Sequence, residues 1–410
     1  MKAAIITIGD EILVGQTIDT NSAYIAKQLR EIGVGINEIR SISDTRQAII
    51  EALDDFIETA DLIFVTGGLG PTNDDITKKV LTEYFGGELK TNESVLNKIQ
   101  SYFDSIHREM LPVHRQQAEL PTSAEIIQND FGTASGMWFE KDETHVISMP
   151  GVPYEMKGLM EKIIPTLVER FDIGEFYHRT VLFQGLREST LAEVMNDVEK
   201  EAHQNGAGMA FLPSVSIVKI RFTGNNRHKE LFEKYVKIAY ERFPKNLFGE
   251  EEIKLEEVIG NLLKERGATV GTVESCTSGS LSAKIVSVPG ASEYYLGSLI
   301  TYSYDVKSYL GNVPADLIQT KGAVSEEVVK AMAEEGRNKL KVDYCLSTSG
   351  IAGPGGGTPD KPVGTVWIGL ASAAGVKARK FSFRQNRERN IEQTISYALN
   401  MLRRELLEIN

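Results

Sequence analysis

The chain has 410 residues and is 41% hydrophobic, 25% charged and 8% aromatic by side chain, a composition with ample apolar surface to bury that excludes disordered and fibrous classes. At about 100–200 residues per domain this length predicts two to four domains. The net charge of −12 is uneven, with 18 basic against 17 acidic residues from Leu255 onward and the acidity confined to the first 254, which argues against nonspecific binding to nucleic acid.

The elements are read in chain order. Lys2–Ile8 is a short aliphatic strand, and Asn21–Ile32 carries apolar residues at helical spacing before Gly33 stops it. The alternation continues with Val34–Ile42, a helix over Arg46–Thr59 and the strand Leu62–Thr66, where Gly67-Gly68-Leu69-Gly70-Pro71-Thr72 breaks the chain. A parallel, doubly wound α/β sheet is expected, completed by Val146–Met149 and a helix over Tyr154–Arg170. Between about 175 and 250 the pattern becomes a small α+β unit: strands at Thr180–Gly185 and Val215–Thr223, helices at Ser189–His203 and Lys229–Phe243. Its outline is KH-like, but the nearest stretch to a Gly-x-x-Gly loop reads Gly224-Asn225-Asn226-Arg227, and 12 basic residues meet 13 acidic ones over 172–254. A spacer or dimerisation role is expected there rather than RNA contact. A second α/β unit follows, with helix Glu256–Arg266, strand Ala268–Val273, helix Ser280–Val286, strands Ser298–Tyr302, Asp343–Thr348 and Thr365–Ala371, and a closing helix Arg389–Leu407. The fold class is therefore α/β, two doubly wound domains over residues 1–172 and 253–410 joined by an α+β domain over 173–252.

No apolar run approaches the ~20 residues that span a bilayer and no signal-peptide core follows Met1-Lys2, so a cytoplasmic protein without membrane contact is expected. Cys276 and Cys345 make no disulfide framework and have no paired metal-ligand spacing, so both read as reduced thiols. All six histidines precede residue 255. Nucleophilic chemistry in the last third must use another base.

Two segments carry chemistry. The run Gly67 to Thr77 follows a strand and opens a helix, where free N–H groups attract phosphate and Gly67, Gly68 and Gly70 allow close approach, with Thr72 beside them. Asp10, Asp44 and Asp75 follow three successive strands and converge on one edge if the sheet is parallel, which implies a hard divalent cation. The alternative is that Asp74 and Asp75 only cap the helix. In the rear unit, Glu274-Ser275-Cys276-Thr277-Ser278-Gly279 exposes hydroxyls on a strand-to-helix turn. Ser275 is the candidate nucleophile, with Lys307 or Tyr302 as base, against an alternative in which Ser275 is an N-cap and Lys307 a solvated charge. The stretch Gly350-Ile351-Ala352-Gly353-Pro354-Gly355-Gly356-Gly357-Thr358 offers an unhindered backbone wall, and Arg387 a phosphate partner.

These residues carry a resemblance. Gly67 to Thr77, with Ile8 to Leu13 and Met149 to Met156, resembles the molybdopterin-binding fold at the front of the CinA (competence/damage-inducible) family, as do Arg115 to Ala118 and Asn129 to Gly136. Residues from about 255 to 410 resemble the nicotinamide-mononucleotide (NMN) deamidase domain, PncC, through Glu274–Gly279, Tyr302 to Lys307, Gly350–Thr358 with Val363 to Val366, and Phe383 to Glu388. The front resemblance implies metal-dependent hydrolysis of ADP-ribose, with Asp10, Asp44 and Asp75 as ligands to magnesium, manganese or cobalt and Asp75 also catalytic. The rear one implies cofactor-free deamidation of NMN, with Ser275 attacking, Lys307 as base and Tyr302 assisting. Thr277, Gly353, Gly355, Gly356, Thr358 and Arg387 would then hold phosphate or oxyanion, and relatives of this kind are homodimers. Two positions depart from the family pattern: Ser278 replaces a glycine, which would tighten the pocket, and Gln385-Asn386-Arg387 replaces Gly-Asp-Arg. Alternatives are that only one site is active, the other binding a ligand such as a pterin, or that the protein is a non-enzymatic partner in competence or recombination.

Overall fold

A computed structural model describes residues 1–72, 74–171, 173 and 176–409. The chain forms two compact units, Met1–Tyr177 and His178–Asn410.

In the first unit the strands are β1 (Lys2–Ile8), β2 (Gly35–Ile42), β3 (Leu62–Thr66), β4 (Leu89–Thr91), β5 (Glu119–Pro121), β6 (Glu125–Ile127), β7 (Gly136–Lys141) and β8 (Thr144–Met149). β4 and β5 pair with each other, and the rest form one sheet in the order β2-β1-β3-β8-β7-β6. The first four of that order run parallel, whereas β7 and β6 are antiparallel, which corrects the expectation of a wholly parallel sheet. The cause is local. Asp142 and Glu143 both have positive φ, 50° and 68°, giving the two-residue hairpin turn whose twist matches its strands. β1 and β3 are covered on both faces: Ala4, Ile6, Ile63 and Val65 meet one helical layer, Ala3, Ile5, Leu62 and Phe64 the other. Burial on both sides is why they read as unbroken aliphatic runs.

The second unit has two sheets. Strands β9 (Phe176–Gln184), β10 (Gly208–Pro213), β11 (Ile217–Asn225) and β12 (Leu247–Glu250) form one in the order β10-β11-β9-β12. Strands β13 (Val270–Glu274), β14 (Tyr295–Ile300), β15 (Tyr344–Gly350), β16 (Thr365–Ser372) and β17 (Gly375–Ser382) form the other in the order β14-β13-β15-β16-β17. β14, β13 and β15 are parallel, and β16 and β17 add an antiparallel edge. Leu182 and Phe248 of the four-stranded sheet share one core with Leu255, Ile259, Leu399 and Leu402, so apolar contact runs across position 252/253. Among the described residues no helix is long and apolar enough to cross a membrane.

Candidate active sites

Strand β13, between β14 and β15, ends at Glu274, and its turn is pinned on both sides: the Ser275 N–H donates to the Thr348 carbonyl at 3.0 Å, and the Thr301 N–H to the Glu274 carbonyl at 2.8 Å. The fully buried Glu274 carboxylate accepts from the N–H groups of Gly279, Leu281 and Ser282 at 2.9, 3.1 and 2.8 Å, and from the Ser282 hydroxyl at 2.6 Å. A carboxyl group accepting from the first N–H groups of helix Ser280–Val286 locks the turn. Sequence reasoning quoted Glu274 only as part of the motif. The signal for its role was an acid closing an apolar strand, since a buried carboxylate must find donors.

From β14 the chain passes into helix Tyr304–Tyr309, whose first turn is capped by the Ser303 hydroxyl accepting from the Val306 N–H. That helix delivers Lys307, 1% exposed, with its Nζ 2.9 Å from Ser275 Oγ, 2.8 Å from the Thr301 carbonyl and 3.1 Å from the Tyr302 carbonyl. Burial pushes the Lys307 ammonium down to about 8. A neutral amine keeps two N–H groups, enough for the two carbonyls, and turns its lone pair to the serine hydroxyl. Ser275 is thus not a mere cap, nor Lys307 a solvated charge. Cys276 is buried at the cavity wall and burial pushes its thiol up to about 12, which keeps it protonated and disfavours it as a nucleophile.

Ser275 and Lys307 line a cavity of about 250 Å³ with Tyr302, Tyr304, Gly353, Gly355, Gly356 and Arg387. Arg387 opens the helix Arg387–Leu406 and donates to the Gly353 carbonyl at 2.9 Å. Asn386 caps that helix by accepting from the Arg389 N–H at 3.0 Å, so its departure from the family pattern leaves the cap intact. Three residues fall elsewhere. The Thr277 hydroxyl is buried against that of Thr348 at 2.8 Å, and Thr358 accepts from the Lys361 N–H at 3.1 Å to shape the glycine-rich loop. Ser278 takes φ 48°, a left-handed conformation natural to glycine, and its hydroxyl donates to the Ser275 carbonyl at 3.1 Å. It does not line the cavity and so does not tighten it. A larger cavity of about 450 Å³, walled by side chains such as Leu182, Ile217 and Ile391, lies away from the dyad.

In the first unit, the carboxyl ends of β1, β2 and β3 gather Asp10, Asp44 and the Gly67–Thr77 segment. A Cβ on Gly67 would lie 2.2 Å from the Ile8 carbonyl oxygen, and one on Gly68 2.1 Å from Thr77 Oγ1 and 3.3 Å from Asp44 Oδ1. Only glycine fits this crossing. Asp44 Oδ1 and Thr77 Oγ1 are buried without a hydrogen-bond partner among the described residues. The Asp44 carboxyl is held above its usual range, first by burial and then by Asp10, Glu11 and Asp75, against the lowering effect of the Asp10 N–H. Asp75 is turned inward on its own loop: its Oδ2 accepts from the Thr72 N–H at 2.9 Å and the Thr72 hydroxyl at 2.5 Å. The helix Thr77–Tyr84 begins at Ile76 without a side-chain cap, so neither Asp74 nor Asp75 serves that purpose.

The expected trio of Asp10, Asp44 and Asp75 does not close into a cage, because Thr72 occupies Asp75; among the described residues no three Asp, Glu, His or Cys side chains are disposed to hold a metal ion. An orphaned carboxylate oxygen repelled by three further acids nonetheless fits a hard cation whose shell is mostly water and phosphate oxygen. Sequence reasoning did not single out Asn21, whose amide ties the Thr66 hydroxyl at 3.2 Å to the Gly151 carbonyl at 2.8 Å; a lone polar residue in a helix leaves no periodic signal.

Comparison with known proteins matches each of the two site-bearing segments separately. The family model described as CinA C-terminal domain matches residues 252–406, and one described as a molybdopterin binding domain matches residues 4–169. CinA-like proteins are similar along the whole chain. That of Cytophaga hutchinsonii is 42% identical, covering 99% of this chain and 98% of its own. That of Flavobacterium psychrophilum is 39% identical, covering 100% and 99%, and that of Salinibacter ruber 39% identical, covering 99% and 100%.

Proposed function

The chain belongs to the CinA family, and on that premise we propose that it is a hydrolase of pyridine nucleotides whose rear site deamidates NMN. The observation that carries this reading is the buried contact of 2.9 Å between Lys307 Nζ and Ser275 Oγ. Neutral Lys307 takes the Ser275 proton as Oγ bonds to the carboxamide carbon, and returns a proton to the nitrogen as the C–N bond breaks and ammonia leaves. Water, deprotonated by the same amine, then attacks the acyl ester, and nicotinate mononucleotide departs as the Ser275 hydroxyl re-forms. The Tyr302 and Thr301 carbonyls orient the amine. Arg387 and the backbone of Gly353, Gly355 and Gly356 supply the anion-binding wall for the ribose phosphate.

The front site, on the same proposal, takes the diphosphate of ADP-ribose. Its residues that would hold a divalent cation are Asp44 with Asp10, and the ion would neutralise the diphosphate and acidify a bound water. Gly67 and Gly68 let the loop cross tightly over the Ile8 carbonyl and Thr77, which sets it beside Asp44. The engagement of Asp75 with Thr72 favours a second reading of this site, in which it binds the diphosphate without cleaving it.

The test is release of ammonia and nicotinate mononucleotide from NMN by wild type and by Ser275→Ala, without added metal. Turnover in the wild type that vanishes in the variant is expected. A folded wild type with no turnover would exclude the deamidase. ADP-ribose incubated with manganese and assayed for AMP separates cleavage from binding at the front.

A further inference from the structure

The cavity beside Ser275 is lined by two basic side chains, Lys307 and Arg387, and among the described residues by no aspartate or glutamate. A ligand with a positively charged ring finds no carboxylate there. The electron-rich surfaces the cavity offers such a ring are the faces of Tyr302 and Tyr304. The two are held differently. Tyr302 lies between β14 and the next helix and serves Lys307 through its backbone carbonyl. Tyr304 is the first residue of helix Tyr304–Tyr309, three positions before Lys307, so the two side chains share a helix face. Tyr304 is 62% exposed, and it has no hydrogen-bond or ring partner among the described residues. An uncovered aromatic side chain at the wall of a reactive cavity is a surface for a ligand to cover.

Resting on the reading of this site as a nucleotide amidase, we propose that Tyr304 is a specificity-determining binding residue whose ring stacks on the planar cationic ring of the substrate. The cavity then selects nucleotides with a charged heteroaromatic amide at one end and a phosphate at the other. Tyr304 takes the face of the ring, while the carboxamide edge remains free to meet Ser275. Because the ring charge is present before any bond is made, the contact acts on binding and not on the chemical step. Sequence reasoning passed over Tyr304, since a tyrosine opening a short helix has no signature until the helix is seen to line a cavity.

The test measures binding apart from turnover. Ser275→Ala, Ser275→Ala/Tyr304→Phe and Ser275→Ala/Tyr304→Leu, each shown to be folded by circular dichroism, are titrated by calorimetry with NMN and with the same nucleotide carrying a reduced, uncharged ring. Replacement by leucine is expected to weaken NMN binding about tenfold and replacement by phenylalanine about twofold or less, since the ring and not the hydroxyl makes the contact. The uncharged nucleotide should lose markedly less affinity on the change to leucine. Equal NMN affinity in the Tyr304 and leucine forms, or equal losses for the charged and uncharged nucleotides, would overturn the proposal. Failure of the folded wild type to release ammonia rejects the amidase reading alone, because the affinity comparison stands without turnover. Absence of NMN binding to Ser275→Ala rejects both.

Discussion

On the proposed reading, burying Lys307 beside Ser275 sets the pH at which the rear site works. An ammonium taken out of water gives up its proton more readily, here at about 8 instead of 10.5, so the free base grows as pH rises through that value. For NMN, kcat/KM should climb with pH, bend near 8 and then level, while Lys307→Arg, unable to deprotonate, should lose about a hundredfold or more; a flat profile would remove Lys307 from the base role. Asp44 works with the opposite sign. Its carboxyl binds a proton more tightly folded than unfolded, so it costs stability as pH climbs from 3.8 through the raised value, and that cost is fully present at neutral pH. Asp44→Asn should therefore melt higher than wild type without metal at pH 7, by about 2–4 °C, and should lose the upward shift that manganese gives wild type. A lower melting temperature with the manganese shift intact would contradict both. At this scale the sequence was informative about reactive groups, because Ser275, Lys307 and Arg387 sit in recognisable runs. It was silent on Glu274, Asn21 and Tyr304, whose roles depend on neighbours brought from elsewhere in the chain.

The helix Glu326–Leu340 shows what an element adds. It lies on β13 and β15 so closely that a Cβ on Gly336 would come 2.2 Å from Val273 Cγ2 and 2.8 Å from Cys345 Sγ. Both neighbours are short side chains on strands whose backbones are fixed by their ladder bonds, so neither can swing far aside. Gly336→Ala should cost about 1–3 kcal/mol by overpacking. Because β13 carries Ser275 at its end, kcat for NMN should fall more than KM changes; urea unfolding with steady-state kinetics checks both, and an unaltered urea midpoint would show that the helix can move away. This helix was missed in the sequence although Val328, Val329, Met332, Ala333 and Gly336 form its buried stripe. Alanine and glycine carry little hydrophobic signal, and their value lies in how near they let the partner strand come. The edge strand β17 was missed for a related reason: exposed positions dominate Gly375–Ser382, so it shows no apolar alternation.

Across the whole second unit, polar bonds as well as apolar contact join the four-stranded sheet to the last helix. Arg403, 2% exposed, donates to the carbonyls of Lys245 at 2.7 Å and Leu247 at 3.1 Å, and to Asn400 Oδ1 at 2.9 Å. Asn400 in turn donates to Gln184 Oε1 at 2.6 Å. Burial draws the guanidinium down to about 10, so its charge is tolerated through these acceptors and not through an ion pair. Arg403→Met keeps much of the volume but strands two buried carbonyls, and should destabilise the unit by about 1–3 kcal/mol. The loss should concentrate in β9, β12 and the last helix when followed by hydrogen exchange. Uniform exchange across the unit would mean that the network is not what couples them.

What the sequence determined by itself was the order of α/β, α+β and α/β segments, the glycine breaks at strand ends and the candidates for reactive side chains, since all of these depend on residue type and short spacing. The tertiary structure decided which way β6, β7, β16 and β17 run, that the middle sheet shares a core with the rear one, that Lys307 meets Ser275 inside a cavity, and that Asp75 turns to Thr72 rather than to a ligand cage. The shared core and the Lys307–Ser275 contact depend on residues far apart in the chain, whereas the strand directions and the Asp75–Thr72 bond follow from the geometry of local turns and loops. Periodicity reports which face of an element is apolar, but not which distant group that face or its ends will meet.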